Sequence, residues 1–140
     1  MTNQDSVPEA EQSSAEKNKK SILLIEDDTF MSSLLGRKLS KENYNIFVAP
    51  DAQQARELLN SNPVSLIILD IVLPGTDGFV FLKELKESQK LKDIPVMIAS
   101  NLGQPEEIEK GLQQGAADYI VKANTTPGEI VDKVKGILEK

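Results

Sequence analysis

The chain has 140 residues, 39% of them hydrophobic, enough for one compact core and too little for two. Sixteen Lys and Arg stand against 22 Asp and Glu, a formal net charge of −6, which argues against a nucleic-acid-binding face built to neutralise phosphates. Cysteine and histidine are both absent, which excludes disulfides, thiolate nucleophiles and most zinc or redox-metal sites, so any bound metal must be a hard cation held by oxygen, such as magnesium or calcium.

Residues 1–20 contain almost no large apolar side chain and are rich in Gln, Glu, Ser, Asn and Lys, a composition that predicts a disordered polar tail. No apolar run of the roughly 7–15 residues of a signal peptide, nor of the ~20 of a membrane span, is present, and the expectation is a soluble, cytoplasmic protein without membrane insertion.

From Ser21 onward short apolar runs alternate with longer amphipathic stretches, the pattern of repeated strand–helix units. The first strand is predicted at Ile22–Ile25, followed by a helix with Met31, Leu34, Leu35 and Leu39 at helical spacing. The second unit places a strand at Tyr44–Ala49 and a helix through Ala52, Ala55 and Leu59, and the third a strand at Leu66–Leu69 and a helix marked by Leu82 and Leu85. A fourth strand at Pro95–Ala99 precedes a helix marked by Ile108 and Leu112, which Gly115 terminates. The fifth strand, Tyr119–Val121, leads to a helix opened by a capping box at Thr126, Pro127 and Glu129 and carrying Ile130, Val134, Ile137 and Leu138.

Several strands are apolar throughout, as expected where helices cover both faces of a parallel sheet. The fold class is therefore α/β, and five units in about 120 residues are too few for a closed eight-fold barrel, which leaves an open, doubly wound, five-stranded parallel sheet. In such sheets ligands bind beyond the carboxyl ends of the strands. Glu26, Asp27 and Asp28 follow the first strand, Asp70 the third, Ser100 the fourth and Lys122 the fifth. Clustered carboxylates repel one another unless a cation neutralises them, and magnesium, which prefers oxygen ligands and leaves room for a phosphate, fits best. A carboxylate can attack phosphorus to give an acyl phosphate, and Asp70, at the end of the most apolar strand, is the candidate nucleophile. Glu26 and Asp27 are suited to metal binding, while the Lys122 ammonium and Ser100 hydroxyl can contact phosphoryl oxygens. Asp28 and Asp77 favour cap or turn roles, and on spacing alone Ser100 reads equally well as a cap for the helix starting near Pro105.

In combination, four motifs resemble the receiver domains of two-component response regulators: Ile22-Leu23-Leu24-Ile25-Glu26-Asp27-Asp28; Leu69-Asp70 with Leu73-Pro74-Gly75-Thr76-Asp77-Gly78; Ile98-Ala99-Ser100; and Gly115-Ala116-Ala117-Asp118-Tyr119-Ile120-Val121-Lys122. The resemblance covers residues 21–140 and implies strand order 2-1-3-4-5. It also implies that Asp70 is the phosphoacceptor and that Glu26, Asp27, Asp70 and the backbone carbonyl of Val72 bind Mg2+. Lys122 becomes the phosphoryl-contacting lysine, Ser100 the switch hydroxyl and Tyr119 the switch aromatic. The implied partners are a sensor histidine kinase or histidine phosphotransfer protein as donor, since the chain has no histidine of its own, and a downstream protein at the face of the fourth helix, fifth strand and fifth helix. Because the sequence stops near the end of the fifth helix, output is expected through protein contact, and the protein is expected not to be a turnover enzyme.

The family's lysine is ordinarily followed by proline, whereas Ala123 follows Lys122 here, which leaves the isomer of that bond and the loop after it open. Val72 and Leu102, two residues beyond Asp70 and Ser100, are apolar where many relatives carry polar groups, and are expected to restrict the attacking water and prolong the phosphoryl lifetime. Two other classes compete with this reading. A dehalogenase-like phosphatase would carry a second aspartate where Val72 stands, and a receiver-like scaffold that is never phosphorylated would be expected to have lost acidic or lysine positions that are all present here.

Overall fold

The structure, a computed structural model, describes residues 19–139, so the expected polar tail lies outside the described residues except for Lys19 and Lys20. Five parallel strands, β1 (Ser21–Ile25), β2 (Asn45–Ala49), β3 (Leu66–Leu69), β4 (Val96–Ser100) and β5 (Asp118–Val121), lie in the order β2-β1-β3-β4-β5. The helices are α1 (Thr29–Ser40), α2 (Ala52–Ser61), α3 (Gly78–Glu87), α4 (Pro105–Gln113) and α5 (Pro127–Leu138). This is the open, doubly wound α/β arrangement read from the sequence. An antiparallel ribbon, Val72–Leu73 against Thr76–Asp77, lies between β3 and α3 and had no counterpart in the sequence reading.

β1, β3 and β4 are buried throughout because both sheet faces are covered there, whereas the edge strands β2 and β5 are only partly buried. Ile22, Leu24, Leu66, Ile68, Met97 and Ala99 point to one face, where Leu35 and Leu39 of α1 and Ile130 and Val134 of α5 close the core. Leu23, Ile25, Ile67, Leu69 and Ile98 point to the other, against Ala55 and Leu59 of α2 and Phe81, Leu82 and Leu85 of α3. Successive strand residues thus feed opposite cores, as the two-residue repeat of a strand requires.

Local signals act where they were read. Asp28 caps α1 through a bond accepted from the Met31 N–H, Asp77 caps α3 through Phe79, and the Thr126–Glu129 capping box opens α5. Gly115, at φ +107, ends α4: its N–H donates to the Leu112 carbonyl and the next N–H, of Ala116, to that of Gly111. Four strand starts shift by a residue: β1 and β5 begin one residue earlier than read, at Ser21 and Asp118, and β2 and β4 one later. Pro95 has no N–H to place in a ladder and contributes only its carbonyl, to the Ile67 N–H. Tyr44 precedes β2 and is buried, its hydroxyl donating to Glu139 just beyond α5.

The stripe of α4 does not face the core as its spacing suggested. Ile108 is only half-buried, Leu112 is exposed, and Gly111 is the one buried residue of that helix. Among the described residues no helix is long and apolar enough to cross a membrane.

Candidate functional site

Strand register decides which side chains meet. Ile25 of β1 pairs with Leu69 of β3, so the next residues, Glu26 and Asp70, emerge side by side at the carboxyl edge of the sheet. Their backbones are anchored there: the Asp70 N–H donates to the Ile25 carbonyl at 3.0 Å and the Glu26 N–H to the Ala49 carbonyl at 2.9 Å. On the far side Ser100 pairs with Val121, which brings Lys122 to the same edge.

Glu26 and Asp70 are both buried, while Asp27 is exposed. One carboxylate oxygen from each of the three can lie within 4.8 Å of the others. The Lys122 ammonium sits between the buried pair, donating to Asp70 Oδ2 at 2.9 Å and to Glu26 Oε1. The second oxygen of each is also engaged: Asp70 Oδ1 accepts from the Val72 N–H at 3.0 Å, and Glu26 Oε2 from the Asp28 N–H at 3.1 Å. Each buried carboxylate is therefore held in one orientation by one main-chain donor and one shared cation.

The electrostatics follow from burial. Loss of solvent pushes the Glu26 carboxyl above the usual glutamate value, a rise that Lys122 and the Asp28 N–H only partly offset. Burial works to lower Lys122, but its hydrogen bonds to Glu26 and Asp70, together with their charges, outweigh that and hold it above the usual lysine value. The ammonium remains charged at neutral pH. Three convergent carboxylates with one partly exposed member form an oxygen-rich site of the kind a small divalent cation takes.

Ser100 is fully buried at the end of β4, and its hydroxyl accepts from the Leu102 N–H at 3.3 Å. It does not cap α4, whose N-terminus is closed instead by Gln104 and Glu107, so the capping alternative is set aside. Tyr119 is half-buried, and its hydroxyl donates to the Leu102 carbonyl at 2.5 Å. Burial raises its phenol above the usual value, with the Glu107 and Asp70 charges adding to the effect. Ser100 and Tyr119 thus hold opposite ends of one residue, Leu102, a link that spacing in the sequence could not reveal. Val72 lies in the ribbon with its side chain exposed.

Among the described residues every peptide bond is trans, including Lys122–Ala123, and Lys122–Asn124 form a single 3-10 turn.

The sequence matches the response regulator receiver domain over residues 22–135. It is 34% identical over 119 residues to the phosphate regulon transcriptional regulatory protein PhoB of Escherichia coli K12, covering 85% of this chain and 52% of that protein. It is 36% identical over 102 residues to the two-component response regulator ORR11 of Oryza sativa, covering 72% of this chain and 69% of that one. The chain thus spans about half the length of PhoB. Among solved structures, the BeF3-activated receiver domain of Klebsiella pneumoniae RstA superposes with a TM-score of 0.77 at 28% identity, over 86% of this chain and all of that one. A two-component response regulator from Clostridium difficile gives 0.80 at 25% identity, over 87% of this chain and 98% of that one. With the sheet order, the acidic edge and the lysine after β5 in place, the chain belongs to the response regulator receiver domain family of two-component systems.

Proposed function

We propose that Asp70 accepts a phosphoryl group from a phosphohistidine of a partner protein, a sensor histidine kinase or a histidine phosphotransfer protein. The observation that carries this reading is the Lys122 ammonium bridging Asp70 and Glu26 beside Asp27. An Asp70 carboxylate oxygen attacks phosphorus as the phosphorus–nitrogen bond to the donor imidazole breaks, and the departing nitrogen keeps the electron pair. Lys122 is placed to swing from the free carboxylate toward the transferred oxygens. Glu26, Asp27, Asp70 and the carbonyl of Val72 would hold Mg2+, which would supply further charge compensation there.

Ser100 then turns its hydroxyl to a phosphoryl oxygen and gives up the Leu102 N–H, so the Tyr119–Leu102 bond is rearranged with it. This shifts a pre-existing equilibrium between two surfaces. The readout is assigned to the face of α4, β5 and α5 and to a downstream protein partner in the cytoplasm. Water attacks phosphorus as the bond to the Asp70 oxygen breaks, which releases inorganic phosphate and restores the free carboxylate, and Val72 and Leu102 limit the approach of that water. The protein therefore works as a switch with one slow hydrolysis per signal, not as a turnover enzyme.

Intact mass after incubation with acetyl phosphate, with and without magnesium, tests the reading. A magnesium-dependent gain of one phosphoryl group in the wild type, lost in Asp70→Asn, is expected. No gain, or the same gain in Asp70→Asn, overturns it and favours an unphosphorylated scaffold.

A further inference from the structure

Helix α4 contains a glycine that its backbone does not need. Gly115 already supplies the left-handed residue that ends the helix, whereas Gly111 lies inside it without a positive φ, where glycine is less favourable than any residue except proline. Its surroundings give the reason. A β-carbon on Gly111 would lie 2.6 Å from Ile98 Cδ1, 2.9 Å from Tyr119 Cδ2 and 3.2 Å from Tyr119 Cε2, against the roughly 3.5–4.0 Å of an ordinary carbon contact. The helix backbone therefore rests directly on the tyrosine ring.

That contact matters because little else holds α4. Gly111 is its one buried residue, whereas α3 and α5 bury several apolar side chains each. Its other ties include the Lys110 ammonium over the Phe79 ring at 4.5 Å, the Leu102 segment, held by Tyr119 and Ser100, and, just beyond its C-terminus, buried Ala116 and the Ala117 N–H, which donates to the Val96 carbonyl at 2.8 Å. Ile98 can yield, since only the tip of its side chain is involved. The ring of Tyr119 cannot move without releasing the Leu102 carbonyl.

We propose that Gly111 is a positioning residue for the Tyr119 switch: lacking a side chain, it seats α4 on the ring, holds the hydroxyl at Leu102 and passes any displacement of the ring to the helix. This rests on the assignment of Ser100 and Tyr119 as the switch pair. A methyl group at position 111 takes the space of the inward ring, so Gly111→Ala turns Tyr119 outward even though alanine is the better helix former.

The chain has no tryptophan and two tyrosines, so Tyr44→Phe leaves Tyr119 as the sole emitter. In that background Gly111→Ala is expected to raise the acrylamide quenching constant about twofold as a half-buried phenol becomes exposed. It should do so equally with Ile98→Val, which removes Cδ1 and leaves only the ring in the way. Unchanged quenching, or quenching restored by Ile98→Val, overturns the proposal. Thermal midpoints give a second reading: Gly111→Ala should lower the midpoint when Tyr119 is present and raise it in a Tyr119→Ala background. A midpoint change of the same sign in both backgrounds overturns the proposal as well. Phosphoryl uptake measured on the same variants keeps the two readings apart. If the wild type takes up no phosphoryl group, the phosphoacceptor assignment fails while quenching still judges the Gly111–Tyr119 contact.

Discussion

Replacing Lys122 by methionine keeps a long apolar stem and removes the one cation that Glu26 and Asp70 share. Two unit charges 4.8 Å apart, the outer limit for carboxylate oxygens of this cluster, repel by about 3.5 kcal/mol at an effective dielectric constant of ~20. Breaking a buried ion pair from one side costs about 3–5 kcal/mol, and because this cluster opens to solvent at Asp27 the lower end applies. The expected loss is about 3 kcal/mol at pH 8. The variant can escape it by holding a proton that the unfolded chain releases. Its stability then falls as pH rises above the ordinary carboxylate range, with a slope of at most about 1.4 kcal/mol per pH unit for one such group. At pH 4.5 the deficit relative to wild type should be small. In the wild type, the raised Lys122 adds stability that is complete below the ordinary lysine value and lost as pH climbs through the folded-state value. The raised Glu26 has the same sign lower down: its stabilising protonated form is lost as pH rises through its elevated value. Magnesium at a hundred times its dissociation constant should return about 2.7 kcal/mol to the variant. Urea unfolding followed by circular dichroism at pH 4.5 and pH 8, with and without magnesium, measures all of this. A Lys122→Met protein as stable as wild type at pH 8, or equally weakened at both pH values, would refute the reasoning.

Three further outcomes are expected. Thr126→Ala removes the capping box of α5 and should cost about 1 kcal/mol in urea unfolding, or roughly 4 °C in melting temperature. Arg56 forks onto Glu84 with bonds of 2.7 and 2.9 Å and stacks over Phe81, but both partners are substantially exposed; Arg56→Ala should cost less than about 1 kcal/mol, with the difference shrinking in high salt. Val72→Asn should shorten the half-life of the phosphorylated protein, read as the decay of the added mass, because it puts a polar group where an exposed valine stands two residues from Asp70; an unchanged half-life removes Val72 from the control of hydrolysis.

The strands β1, β3 and β4 were legible because burial on both faces writes an unbroken apolar run, and the helix starts because Asp28, Asp77 and Thr126 are short acceptors placed ahead of amphipathic stretches. The edge that gathers Glu26, Asp70, Ser100 and Lys122 followed from parallel strand direction alone. What could not be read depends on contacts between distant segments. Nothing local shows that Lys122 bridges Glu26 and Asp70, that Leu102 is held at both ends, or that Ile108 is only half-buried and Leu112 exposed. Gly111 carries no local signal for a related reason: inside a helix it is a weak position, and only the fold brings up the tyrosine that fills the space of its missing side chain. The ribbon at 72–77 is too short to carry a periodicity.

Lys20 donates through Nζ to the Leu138 carbonyl, and its own carbonyl accepts from the Asn45 N–H, so residues 20 and 138 meet at the amino end of the sheet. That end is separated from Asp70 by the length of a five-residue strand, about 17 Å. A biosensor built on this domain can therefore be tethered to a chip through either of those positions, or through both as a single two-point anchor, and still present its acidic mouth to the liquid phase.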